Sequence, residues 1–196
     1  MEHIIKLYKD YGGAGYIGED VTQYQHAMQC YLLAEDFLKE NVASFDFRNV
    51  SPYEIKLGAF LHDIGHLMEF NNDNVEKMGN LGVMNHELEG AKYLKELGFS
   101  ENICSLVSNH INTKRYLITK DRNYYNNLSL ASKKTFEYQG GKMSNIEIDN
   151  FEKDSLLFWH LNLRNWDDKS KSTEPELLEY IENFDLLLIL RAPKVS

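Results

Sequence analysis

A chain of 196 residues has the length of one well-buried domain, and 43% hydrophobic with 26% charged residues is an ordinary globular composition. A formal charge of -9 excludes a nucleic-acid backbone as the main partner, and Cys30 and Cys104, outside any CxxC, exclude a disulfide framework and a thiolate zinc site. No apolar run approaches the roughly 20 residues of a bilayer span, and MEHIIKLYKDYGG does not read as a secretory leader, so the expectation is a soluble, cytoplasmic protein without a membrane partner.

Period-2 alternation is scarce and helical spacing recurs along the chain. From Val21, the residues His26, Cys30, Leu33 and Phe37 form one stripe, flanked by Ala27, Ala34 and Leu38, while Glu35, Asp36, Lys39 and Glu40 face water. SPYE at 51–54 is a helix start, with Ser51 as N-cap, Pro52 in the first turn and Glu54 closing a capping box. The helix after it is apolar nearly all round through Ile55, Leu57, Ala59, Phe60, Leu61 and Ile64, which predicts the central helix. NHELEGAKYLKELG predicts a helix capped by Asn85 and stopped at Gly98. Ser100 caps the next, whose stripe is Ile103, Val107 and His110, and LLFWHLNLRNWDD predicts a late helix over 156–168. Segments near 40–50, 68–84 and 118–128, rich in Asn and Asp, predict loops. The sum is an all-α fold of about seven to nine helices in a single domain over 1–196.

These helices carry polar residues on their apolar sides: His26, the adjacent His62 and Asp63, His86, His110 and Asp167. One inward histidine is ordinarily a hydrogen-bonded core residue. Four of them with two aspartates in one small core are different, because buried carboxylates cost several kcal/mol unless cations meet them. Metal is the economical account. Neighbours on a helix project about 100° apart, so His62 can bind one ion while Asp63 bridges to a second. Four imidazoles favour a transition ion over magnesium. His3 reads as solvated, His160 as packing, and His66 as lining a cavity.

The motif LHDIGH, with His26 before it and His86, His110 and Asp167 after it, resembles the metal-dependent HD-domain superfamily. YIGE at 16–19, Gln23, Gln29, GVMNHELEGAKYLKELGFS, HINTKRYL, LSLASKKTFEYQGGKM and LRNWDD narrow the resemblance to its PhnZ-type oxygenase branch, over about residues 12–172, leaving 173–196 as a C-terminal helix and tail. Members are mixed-valent di-iron enzymes that use dioxygen to cleave the carbon-phosphorus bond of a 1-hydroxyphosphonate.

The resemblance implies two iron ions (Fe2+/Fe3+), one on His26, His62, Asp63 and Asp167 and the other on Asp63, His86 and His110. It implies that a small anionic hydroxyphosphonate meets His66, Lys114, Ser132, Thr135 and Arg164, that Glu19 faces a substrate ammonium, and that Tyr16 occupies an iron position at rest. The expected substrate is (R)-2-amino-1-hydroxyethylphosphonate, giving glycine and phosphate, with an HD-type phosphohydrolase of a small phosphate ester as the alternative. Lys142 stands where relatives have proline, and the stretch between His26 and His62 has an added loop near 43–50. Neither departure touches a ligand, but both bear on the substrate's substituent.

Overall fold

Helix α3 (Pro52–Leu61) is the axis of the structure, a computed structural model that describes residues 2–47, 49–70 and 75–190. Its start is fixed locally. Ser51 N–H donates to Glu54 Oε2 at 2.8 Å and Glu54 N–H donates to Ser51 Oγ at 3.2 Å, closing the expected capping box. Apart from the half-buried Lys56, the helix from Ile55 onward is buried, with Ala59, Phe60 and Leu61 fully enclosed, and each large apolar side chain so placed contributes roughly 1.5–3 kcal/mol. It packs against α2 (Gln23–Asn41), α5 (Glu101–Lys120) and α9 (Leu157–Lys169), which together with it surround the His and Asp residues.

After Leu61 the chain passes through His62 and Asp63 into a 3-10 stretch, Ile64–Phe70, against which α4 (His86–Glu96) packs backbone to backbone. Two glycines permit this approach. A Cβ on Gly65 would overlap the His86 carbonyl, and one on Gly90 would lie 3.0 Å from the Gly65 nitrogen. The close contact brings His86 beside Asp63. Asn85 precedes α4 but does not cap it with its side chain. It sits in the left-handed region at φ 55°, and its carbonyl accepts from Leu88 and Glu89 N–H. It follows the turn bridged at Lys77 and Val83, and asparagine tolerates the left-handed conformation. Gly98, at φ +83°, ends α4 as expected, with Phe99 N–H on the Leu94 carbonyl, and Ser100 caps α5 through Ile103 N–H.

Among the described residues there are eleven α-helices, more than the seven to nine expected, because several are too short to show a stripe. Besides α1 (Glu2–Tyr11), these include α6 (Arg122–Asn127), α8 (Asn145–Phe151) and α11 (Leu186–Leu190), with α7 (Leu130–Tyr138) and α10 (Pro175–Glu182) between them. The segment 118–128 is a junction of two helices rather than a loop. Asp121 N–H donates to the Leu117 carbonyl to end α5, and its carboxylate accepts from Asn123 N–H to begin α6. The polar residues there serve as caps. The expected loops at 40–50 and 68–84 hold only short 3-10 turns, Val42–Ser44 and the end of Ile64–Phe70, and residues 71–74 lie outside the described ones. The first half of α2 is buried all round rather than on one stripe, Gln23, Gln25 and Gln29 included. Among the described residues no strand forms beyond isolated bridges, and no helix is long and apolar enough to cross a membrane.

Candidate metal centre and substrate pocket

Five helical segments deliver the six residues expected to hold metal, and all six are buried, from His26 and His62 at 0% exposed to Asp63 at 7%. His26 comes from α2, His62 and Asp63 from the end of α3, His86 from the first residue of α4, His110 from the middle of α5 and Asp167 from α9. The two oxygens of Asp63 face opposite ways. Oδ1 lies 3.2 Å from both His86 Nε2 and His110 Nε2, while Oδ2 lies 3.2 Å from His62 Nε2 and 3.5 Å from His26 Nε2. Asp167 Oδ1 completes the second group, 3.4 Å from His26 Nε2.

The outer nitrogens of these rings explain their orientation. His26 Nδ1 meets the Ser170 carbonyl at 2.7 Å, His62 Nδ1 the Ala59 carbonyl at 2.8 Å, His86 Nδ1 the Val83 carbonyl at 3.3 Å and His110 Nδ1 the Val107 carbonyl at 2.7 Å. A carbonyl only accepts, so each Nδ1 carries the proton and each Nε2 presents a lone pair inward. Yet His26 and His62 Nε2 lie 3.2 Å apart, and His86 and His110 Nε2 lie 3.0 Å apart. Paired lone pairs at that distance need a positive charge between them, a proton on one ring or a metal ion. Two cis ligands about 2.1 Å from one first-row ion stand about 3 Å apart, so the residues fit two metal ions sharing Asp63.

The electrostatics agree. Burial raises the carboxyls of Asp63 and Asp167, but the neighbouring His62 in the first case and the Arg164 guanidinium in the second hold both well below the usual carboxylate range. His66 also brings a donor atom within 4.8 Å of those of Asp63 and His86, so reach alone would admit it to the ligand set. Its ring stacks on His86 at 3.9 Å and its Nδ1 accepts from Val83 N–H, however, which leaves it lining the cavity.

That cavity, about 50 Å3, opens on the Asp63, His86, His110 and Asp167 side of the centre. Its wall includes all seven of the other residues singled out from the sequence: Tyr16, Glu19, His66, Lys114, Ser132, Thr135 and Arg164. Tyr16 lies flat on His26 with ring centroids 3.9 Å apart, and burial, followed by Asp63 and Asp167, keeps its phenol protonated well above the ordinary range. The loop carrying Tyr16 and Glu19 leans on α7, where a Cβ on Gly18 would strike the Ala131 methyl at 2.7 Å.

Lys114 and Arg164 are both buried, but differently. Arg164 binds Asp167 Oδ2 at 2.6 Å and pairs with Asp168, with Tyr124 Oη accepting from its Nε at 3.0 Å, so it is neutralised and positions a ligand carboxylate. Lys114 donates to two neutral acceptors, Thr135 Oγ1 at 2.8 Å and Gln139 Oε1 at 2.7 Å. Burial, then the charge of Arg164, pushes its ammonium down to about 7.

The sequence reading gives three contributors no role at the site, although it names Gln29 among the residues that carry the resemblance. Gln139 follows Ser132 and Thr135 on one helical face, at i+7 and i+4, so its spacing was a usable signal. Lys171 approaches Glu19 Oε1 to 3.1 Å, a pairing across the fold with no local sign in the sequence. Gln29 clamps the segment after α9: its amide donates to the Ser172 carbonyl at 2.9 Å and accepts from Ser172 N–H at 2.8 Å, holding the Ser170 carbonyl against His26. Gln29→Ala is expected to weaken metal binding by about 10- to 100-fold, as loss of outer support for a ligand does. Competition with a chelator measures this, and unchanged affinity would remove Gln29 from the centre's support.

The HD domain family matches over residues 23–144. An uncharacterised protein, L432, of Acanthamoeba polyphaga mimivirus is 46% identical over 182 residues, which are 92% of this chain and 77% of the relative. The 1-hydroxy-2-(trimethylamino)ethylphosphonate dioxygenase (glycine-betaine-forming) of Leisingera caerulea is 33% identical over 184 residues, 92% of this chain and 84% of the relative. The hydroxymethylphosphonate dioxygenase of Gimesia maris is likewise 33% identical, over 181 residues, 90% of this chain and 82% of the relative. With its buried His and Asp centre and its match along nearly the whole chain, this protein belongs to the HD-domain family, in the branch that holds these phosphonate dioxygenases.

Proposed function

We propose that the protein is a di-iron dioxygenase that cleaves the carbon-phosphorus bond of a small 1-hydroxyphosphonate. The observation that carries this reading is Lys114, a buried cation without a carboxylate partner beside a His and Asp centre built for two metals. Such a cation is poised for an anion, and its neutral neighbours Thr135, Gln139 and Ser132 add hydrogen-bonding groups to the same wall. The relatives named for phosphonate substrates supply the chemical class.

In this reading one iron rests on His26, His62, Asp63 and Asp167, and the other on Asp63, His86 and His110. When bound, the Fe2+/Fe3+ pair supplies the redox chemistry with dioxygen. The chain's own residues do the rest. Lys114 holds the phosphonate, Arg164 fixes Asp167, and His66, neutral because burial and then His86 hold it well below the usual imidazole range, offers a hydrogen bond without adding charge. Tyr16 covers His26 and keeps water from that side of the centre. The balance is one hydroxyphosphonate and one O2 giving one carboxylate and one phosphate. For the 2-amino-1-hydroxyethyl substrate suggested by the sequence, the carboxylate is glycine.

The test is phosphate release from hydroxyphosphonates by iron-loaded protein, with and without dioxygen. Release is expected to require dioxygen and to be negligible from phosphate monoesters. Equal release under nitrogen would make the protein a phosphohydrolase instead.

A further inference from the structure

Glu19 already faces a cation of the chain itself, in an ion pair that leaves its Oε1 without a hydrogen bond. Its side chain is 18% exposed and its Oε1 lies 3.1 Å from Lys171 Nζ, with both residues on the cavity wall. We infer that Lys171 is a specificity residue: its ammonium takes the place beside Glu19 that a substrate ammonium would need, so the site selects a hydroxyphosphonate without an amine. This deepens the reading of the site as a phosphonate site and rests on it.

Three observations support the assignment. First, charge: Lys114 and Lys171 line this one cavity, while Arg164 there is already neutralised by Asp167 and Asp168. A cationic substrate that took Glu19 would leave Lys171 without its carboxylate partner and bring a further positive group to a cavity that already holds the Lys114 ammonium. Second, anchoring: the backbone on each side of Lys171 is tied down, Ser170 by its carbonyl on His26 and Ser172 by both hydrogen bonds to Gln29. The flexible stem of Lys171 would therefore have to move alone, without help from its loop. Third, burial: the Lys171 and Glu19 side chains are only 17% and 18% exposed, so water screens the pair less than it would a surface pair.

The experiment is calorimetric titration of the iron-loaded protein under nitrogen, where binding is read without turnover, using hydroxymethylphosphonate and 2-amino-1-hydroxyethylphosphonate. The wild-type protein is expected to bind the first at least about tenfold more tightly, about 1.4 kcal/mol. Lys171→Gln frees Glu19, and the preference is expected to vanish or invert. Adding Glu19→Gln to that variant cancels the gain of the amine, and Lys171→Arg, which keeps the cation and tests that the loop survives substitution, retains the wild-type ratio. Equal or tighter binding of the amine by the wild-type protein, or an unchanged ratio in Lys171→Gln, overturns the role of Lys171 while leaving the phosphonate site standing. Binding of neither ligand overturns both.

Discussion

Asp63→Ala is expected to yield protein that keeps neither metal and releases no phosphate above background. Its two oxygens face two different histidine pairs, so one substitution withdraws a ligand from both ions at once. The remaining residues cannot compensate, because each half is left with imidazoles whose lone pairs converge at about 3 Å and with fewer negative charges to hold a cation. Metal analysis should fall from about two ions per chain to a small fraction of one. Stability should follow. Ions present at about 100 times their dissociation constant add about 2.7 kcal/mol to the folded state, which in a chain of this size is about 5–10 °C in Tm. Added iron is therefore expected to raise the Tm of the wild-type protein and to leave that of Asp63→Ala unmoved. A variant that retains one full ion would show that Asp63 serves a single metal.

Lys114→Met should separate binding from stability. Loss of the cation proposed to hold the phosphonate is expected to cost about 2–5 kcal/mol of affinity, about 30- to 5,000-fold. The metal-free variant should nonetheless be more stable than the wild-type protein at neutral pH and below, because it no longer buries an ammonium with only neutral acceptors. The pH dependence gives the sign. The folded-state value, about 7, lies below the ordinary 10.5, so between them the unfolded chain binds a proton that the folded chain does not. Stability of the wild-type apoprotein thus rises as pH climbs through that window, and the variant should lack this rise. Phosphonate affinity of the wild-type protein should fall as pH passes above about 7 and Lys114 loses its charge. Denaturant melts across pH with parallel ligand titrations test both halves. A variant that loses affinity without gaining stability would place the cost of burial elsewhere.

The parts of this molecule legible in its sequence are those that physics writes locally. The capping box at Ser51 and Glu54 and the apolar α3 depend on neighbours a few residues apart, and both form as read. The residues proposed to hold metal stood out for another reason: a polar group on an apolar stripe contradicts the stripe, and six such residues are buried together. Asn85 misled because its preference for a cap and its tolerance of positive φ are properties of the same side chain, and the turn before α4 uses the second. Asp121 misled in the opposite way, since a run of polar residues marks a helix junction as readily as a loop. The Glu19–Lys171 pair had no local trace. It depends on how the end of α9 returns to a loop at the other end of the chain, and only packing decides that.

The three successive residues after α9 each hold a different part of the molecule. Ser170 orients a histidine of the centre, Lys171 lines the cavity beside Glu19, and Ser172 is gripped by Gln29. Binding in the cavity and binding at the centre therefore bear on the same three residues, and the two are expected to be linked. Linkage of that kind is reciprocal. With iron in the centre and a phosphonate in the cavity, as proposed, whatever factor one contributes to the hold on the other is returned in full.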